Sequence, residues 1–206
     1  MTTPDLGRRP RKDAVANRAV ILSAAAESIA QDPHASIDAI ARRAGLSRRA
    51  LYGHFDDRDD LVRATLRSGA ERFNRIAGEV DVTASAPLSL ARLAAALWRE
   101  AAHVQLAAAI ALDDAHVEET AAILSPLRRR VMAIVRGGQD DGSLRGDVSA
   151  PTLARLIEET ARLVVTRLDT TSPDAAALAV RAILSIAGLG WREADELLRV
   201  HTELPA

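Results

Sequence analysis

The apolar residues of this 206-residue chain recur at helical spacing, and the alternating runs that build strands are nearly missing. Alanine, leucine and arginine dominate, and no Asn-Gly or Asp-Gly pair joins two strand-like runs. The sequence therefore predicts an all-α fold, in which the helices include residues 14–31, 47–55 and 116–136 and a loop covers residues 136–151. A hydrophobic content of 48% with a formal net charge of −1 is typical of a globular chain rather than a disordered one.

Several classes of protein are excluded by what the sequence lacks. Cysteine is absent, which rules out a disulfide framework and thiolate chemistry. No apolar run reaches the roughly 18 residues that span a bilayer, and the first residues lack the apolar segment of a secretory signal, so we expect a cytoplasmic protein. No phosphate loop, dinucleotide fingerprint or His-Glu-x-x-His motif is present, so neither an enzyme, a cofactor nor a metal is predicted.

The near-zero net charge hides an asymmetry between the two parts of the chain. Residues 1–55 hold nine Lys+Arg and five Asp+Glu, a balance of +4. The rest of the chain holds eighteen and twenty-three, a balance of −5. This distribution indicates that the N-terminal part is the one that meets a polyanion.

Two short helices are predicted in the stretch SIDAIARRAGLSRRALYGHF, residues 36–55. Apolar residues occur at i, i+3, i+4 and i+7 from Ile37, which gives the first helix one buried face. Ser36 and Ser47 are suited to cap the two helices, and Gly45 suits the turn between them. This is the layout of a helix-turn-helix, whose second helix offers its N-terminal side chains to a major groove.

Two arginines occupy the first turn of that second helix. Arg48 and Arg49 lie away from its apolar residues, Leu51 and Phe55. An arginine in this place can donate two hydrogen bonds to O6 and N7 of a guanine. Phe55 is predicted to belong to the core.

The stretch IDAIARRAGLSRRALYGHFDDRDDLVRATL resembles the signature of TetR-type transcriptional repressors, whose third helix typically ends in Leu-Tyr-x-His-Phe, here residues 51–55. A weaker likeness covers GSLRGDVSAP, residues 142–151. The resemblance implies an all-α protein: an N-terminal three-helix helix-turn-helix DNA-binding domain and a C-terminal helical ligand-binding and dimerisation domain. The expected boundaries are a flexible basic arm over 1–13, the DNA-binding domain over 14–56 and the larger domain over 57–206, with a connecting helix over 57–80.

The resemblance also implies roles for single residues. Arg48 and Arg49 occupy base-reading positions, and the phosphate contacts are expected from Ser36, Tyr52, His54 and Arg58. Gly53 departs from the family, which commonly has a large residue there; it either allows a close backbone approach or reduces base contact. A basic arm that either reaches a minor groove or stays solvated consists of Arg8, Arg9, Arg11 and Lys12.

In the larger domain the resemblance implies a cavity for a small molecule between helices. Such pockets are mostly apolar with a few polar groups. The candidate wall residues are Trp98, His103, Leu106, Ile110, Val131, Met132, Val135, Glu158, Arg162 and Val165.

The last two long helices are predicted to form the surface between two copies of the chain. Four such helices around a two-fold axis would make a bundle. The candidate interface residues are Leu153, Leu156, Ile157, Leu163, Val164, Leu178, Ala179, Ala182, Ile183 and Ile186.

The sequence thus predicts a homodimeric transcriptional repressor that a small molecule releases from a palindromic DNA operator. One alternative is a DNA-binding regulator without a ligand, whose C-terminal domain only dimerises or binds a protein partner. An enzyme with an accidental helical hairpin is the other.

Overall fold

The computed structural model of the protein describes residues 9–81, 83–102, 117–169 and 171–205, with side chains from residue 16 onward except those of Ala102 and Val117. All regular secondary structure in these ranges is α-helical, which confirms the predicted all-α fold. The helices in chain order are α1 (Arg9–Gln31), α2 (Ile37–Arg43), α3 (Arg48–Tyr52), α4 (Arg58–Glu79), α5 (Ala86–Ala102), α6 (Val117–Ile123), α7 (Ser125–Asp140), α8 (Ala150–Arg167), α9 (Ala175–Ala187) and α10 (Trp191–Val200).

The chain forms two compact units, residues 1–68 and residues 69–206. Helix α4 begins in the first unit and ends in the second. The domain boundary predicted from the sequence, at residues 56 and 57, lies at the start of this helix. The predicted domain bounds stay a proposal.

The first unit is organised around α1, α2 and α3. Its core contains Ile21, Ile29, Ile40 and Leu51, each almost fully buried. Phe55 is 1% exposed, which confirms that it belongs to the core. The guanidinium Cζ of Arg18 lies 4.8 Å from the centroid of the Phe55 ring, a cation–π contact between α1 and the segment after α3.

Helix α1 begins at Arg9, within the stretch that the sequence predicts as an arm and before the predicted helix start at residue 14. Pro10 is compatible with this start, because proline in the first turn of a helix lacks only an N–H that has no helical partner.

The second unit is built around α9, which packs against α5, α8 and α10. Its core includes Leu90, Val135, Leu153, Val180 and Leu184. These residues come from α5, α7, α8 and α9, so each of the four helices buries one apolar stripe in a common centre.

Two boundaries differ from those predicted. The sequence predicts one helix over 116–136, but the chain breaks at Leu124, and α7 starts at Ser125. Pro126 causes this break, because it has no N–H to donate to the preceding turn. Helix α7 then continues to Asp140, through a glycine pair that the sequence predicts as loop. A Cβ on Gly138 would lie 2.7 Å from Cβ of Ala86, so glycine here serves close packing rather than a turn.

Candidate functional site

The turn between α2 and α3 has the geometry predicted from the sequence. The Ser36 hydroxyl accepts a hydrogen bond from the N–H of Ala39 at 3.2 Å, and the Ser47 hydroxyl accepts one from the N–H of Ala50 at 3.1 Å. Both serines therefore cap their helices. Gly45 adopts φ +68°, a left-handed conformation that favours glycine in this turn.

Arg48 opens α3 and contacts one residue on each of the two helices. Its Nη1 lies 3.0 Å from Oδ2 of Asp38, and its Nη2 donates to the Tyr52 hydroxyl at 3.4 Å. Cζ of Arg48 also lies 5.5 Å from the centroid of the Tyr52 ring. The hydrogen bond to Tyr52, followed by the charge of Asp38, raises the pKa of Arg48, so its guanidinium stays charged.

Arg49 and Tyr52 present polar groups to solvent on the same short helix. Arg49 is exposed, and its side chain has no partner among the residues that the structure describes. Tyr52 is 41% exposed although it is a large aromatic residue. The outward side of α3 therefore offers two guanidinium groups and one phenol.

His54 lies beyond the end of α3, which stops at Tyr52 and uses Gly53 as its C-cap. The sequence predicts that the helix continues to residue 55. Gly53 has φ −72°, so its backbone does not require glycine, and a Cβ there would lie 3.2 Å from the main-chain oxygen of Ala50. The half-buried His54 ring stands 6.5 Å from the ring of Phe55, centroid to centroid.

Arg58, predicted to contact a phosphate, forms hydrogen bonds within the first unit. Its guanidinium donates to the main-chain oxygens of Pro33 and Ala35 and so ties the start of α4 to the loop between α1 and α2. Arg8 and the side chains of Arg9, Arg11 and Lys12 lie outside the described residues, so the role of the arm remains a prediction.

Three of the predicted pocket residues lie in the core of the second unit. Trp98 is 6% exposed and packs with Ala175 and Ala179. Val131 and Val135 are 6% and 0% exposed and belong to the central cluster. Their apolar side chains pack in these clusters, and their assignment to a cavity wall stays a prediction.

The other predicted pocket residues are less buried or lie outside the described ranges. Met132 and Val165 are partly buried. Glu158 forms an ion pair of 3.1 Å with Arg128, and burial is the main reason why the pKa of Glu158 is raised. Arg162 is exposed and lies 3.8 Å from a Glu159 carboxylate oxygen. The predicted wall residues outside the described ranges are His103, Leu106 and Ile110.

The second unit also contains an open groove that was not predicted from the sequence. It has a volume of about 600 Å³ and lies where the end of α4, the start of α5 and helix α7 meet. Small side chains line much of it, and Arg130 adds a guanidinium whose Nε is buried without a hydrogen-bond partner in the described chain. Nothing in the sequence pattern marks these residues, because alanines at helical spacing are equally typical of a tight helix crossing.

The predicted interface residues divide into two groups. Leu153, Ile157, Ala179 and Ile183 are buried within the unit itself, and their assignment to an interface stays a prediction. Leu156, Leu163 and Leu178 are 41%, 60% and 50% exposed. The remaining three, all partly buried, are Val164, Ala182 and Ile186.

Two kinds of structural feature are absent from the described residues. None of their helices combines the length and the apolar character needed to cross a bilayer. Within the same ranges, His, Asp and Glu side chains form no group of three that could hold a metal ion.

Residues 21–65 match the family of bacterial regulatory proteins known as the tetR family. Among curated protein sequences, none matches the chain closely enough to establish a relative. The family is one of transcriptional regulators and not of enzymes, and the match covers the α2–α3 turn, Arg48, Arg49 and Arg58.

Solved structures share the fold over most of the chain. The transcriptional regulator FadR from Bacillus subtilis, solved in complex with stearoyl-CoA, is 19% identical and has a TM-score of 0.69. The match covers 82% of this chain and 97% of FadR. A tetR-family regulator from Rhodococcus RHA1 is 21% identical, with a TM-score of 0.67 and coverages of 84% and 98%.

The ketosteroid regulator KstR2 of Mycobacterium tuberculosis is also 21% identical, with a TM-score of 0.61 and coverages of 89% and 91%. At such identities these likenesses show the fold alone. The sequence match over residues 21–65 makes the helix-turn-helix part of this chain similar to the tetR family of bacterial regulatory proteins.

Proposed function

We propose that the protein is a transcriptional repressor that binds a DNA operator as a homodimer and is released from it by a small molecule. The observation that carries this proposal is the outward side of α3. Arg48, Arg49 and Tyr52 lie there on a helix of five residues, capped by Ser47 and preceded by a tight turn. Guanidinium groups at the start of a recognition helix are suited to base edges in a major groove.

Exposed leucines support the homodimer. Leu156 and Leu163 are seven residues apart on α8, so they lie on one side of that helix, and Leu178 is exposed on α9. Exposed leucines that share one side of a helix supply apolar surface of the kind that another chain can cover. Two copies related by a two-fold axis would present two recognition helices, which matches a palindromic operator.

The open groove supports a small-molecule effector. Its volume of about 600 Å³ falls within the range of ligand pockets, and its wall combines alanine with the polar side chains of Asn74, Ser89 and Arg130. Proteins of the same fold are associated with different small molecules: FadR was solved with stearoyl-CoA, and KstR2 is a ketosteroid transcriptional regulator. The fold therefore does not name the effector.

The DNA-binding part is tested by selecting fragments from a random DNA pool with the purified protein. We expect enrichment of a palindrome whose half-sites lie about one helical turn apart, roughly 34–36 Å. Recovery of unrelated fragments would contradict the proposal.

The effector part is tested by screening small molecules for loss of operator binding and then filling the groove. Ala133→Phe should abolish the response to an inducer without changing operator affinity, while Ala122→Phe, on the exposed side of α6, should leave both intact. An inducer that works equally well on Ala133→Phe would move the effector site elsewhere. If no compound releases DNA, the regulator without a ligand is favoured.

A further inference from the structure

The two arginines at the start of α3 differ in their surroundings. Arg49 has no side-chain partner in the described part of the chain, whereas Arg48 is held by Asp38 at 3.0 Å and by the Tyr52 hydroxyl at 3.4 Å. Asp38 belongs to α2 and Tyr52 to α3, so the guanidinium of Arg48 is fixed from both helices. Arg48 therefore has one preferred orientation before any DNA is present.

The contacts of Arg48 leave it able to recognise a base. A guanidinium has five N–H donors, and the contacts with Asp38 and Tyr52 use two, so three remain. A bidentate contact with a guanine needs two. Holding a long side chain in place beforehand lowers the rotamer entropy that binding would otherwise remove.

Asp38 also has an unfavourable effect on DNA binding. Its side chain is 49% exposed and carries a negative charge beside the residues expected to meet DNA. A carboxylate there repels the phosphates of any sequence, since that repulsion does not depend on the bases. Asp38 thus lowers binding to all DNA and favours sequences in which Arg48 finds its base.

We propose that Asp38 is a positioning residue for DNA recognition, which holds the guanidinium of Arg48 for one base pair and increases sequence selectivity while it lowers overall affinity. This inference rests on the proposed function as a DNA-binding regulator. It gives a specificity-determining role to an acidic residue on the helix that precedes the recognition helix.

The test compares Asp38→Ala with Asp59→Ala. Both aspartates are the second residue of their helix, α2 and α4, and Asp59 is exposed without a side-chain partner in the described ranges. Each variant removes one negative charge, so both should bind random-sequence DNA more tightly. Only Asp38→Ala should lose selectivity, by at least about fivefold, at the base pair that Arg48→Ala also affects.

A combined variant distinguishes positioning from a merely structural role. Because Asp38 acts through Arg48, adding Asp38→Ala to Arg48→Ala should leave base preference as it is in Arg48→Ala alone. Asp38→Glu should restore part of the lost selectivity, and thermal unfolding of each variant confirms that it is folded.

Two results would overturn the inference. One is an Asp38→Ala protein that keeps the wild-type preference at every base pair. The other is a loss of selectivity from Asp38→Ala that is as large in the Arg48→Ala protein as in the wild-type protein. If the wild-type protein shows no sequence preference at all, the proposed function fails as well, so the two failures can be told apart.

Discussion

The guanidinium of Arg58 donates a hydrogen bond to the main-chain oxygen of Pro33, 25 residues earlier in the chain. A second bond, from Nε to the oxygen of Ala35, has a length of 3.3 Å. Arg58 therefore satisfies two carbonyls in the loop between α1 and α2, which the backbone there leaves without helical partners. A residue expected to contact phosphate thus has a structural task in the free protein.

This arrangement predicts that Arg58→Ala destabilises the protein by about 1–3 kcal/mol, because partly buried carbonyls lose a charged donor. Chemical denaturation measures the effect. Arg63→Ala is the matched control, since Arg63 is exposed on the same helix with no side-chain partner in the described chain, and it should change stability by less than about 0.5 kcal/mol. Equal stability of the two variants, with DNA affinity reduced only in Arg58→Ala, would show that Arg58 is a phosphate contact alone.

Replacing the two adjacent glycines of α7 by alanine is predicted to change the stability of the protein in opposite directions. Gly138→Ala should destabilise the protein by about 1–3 kcal/mol, because the new Cβ would lie 2.7 Å from Cβ of Ala86. Gly137→Ala meets nothing within 4 Å and should stabilise the helix by about 0.5–1 kcal/mol. Thermal unfolding of both variants decides the matter, and a destabilised Gly137→Ala would be inconsistent with a regular helix there.

The local features of the fold could be predicted from the sequence, and the pairings across the fold could not. Ser36, Ser47 and Gly45 act within a few residues of themselves, so their types alone indicate the caps and the turn. The contact of Arg58 with Pro33 depends on how distant segments pack. The pairing of Arg48 with Asp38 crosses a turn whose exact geometry no residue pattern specifies.

The apolar helices show the same limit. Helix α8 carries apolar residues on more than one side, and spacing alone does not show which side faces the core. The structure buries Leu153 and Ile157 and exposes Leu156 and Leu163. Likewise, Gly137 and Gly138 are typical of a loop in the sequence, yet both lie in a helix, where Gly138 leaves space for neighbouring side chains.

The exposed leucines predict where a dimer would be broken. Leu163→Glu places a charge within the proposed interface without disturbing the core, since Leu163 is 60% exposed. We expect a monomer by light scattering, with weakened binding to a full operator. Val20→Glu changes an equally apolar residue that is 49% exposed in the first unit and should keep the mass of the wild-type protein. A Leu163→Glu variant that remains dimeric would place the interface elsewhere.

The central claim, that α3 reads a DNA sequence, is tested most directly by the base preference of Arg49→Ala. Arg49 has no side-chain partner in the described chain, so this change removes the proposed DNA contact without breaking a side-chain contact of the described fold. Binding should be measured for the selected operator and for a set of single-base variants of it. We predict that the mutant loses about 1–3 kcal/mol of discrimination at one base pair in each half-site and keeps it at the others. An Arg49→Ala protein with unchanged preference at every base pair, or one weakened equally for all sequences, would contradict the claim.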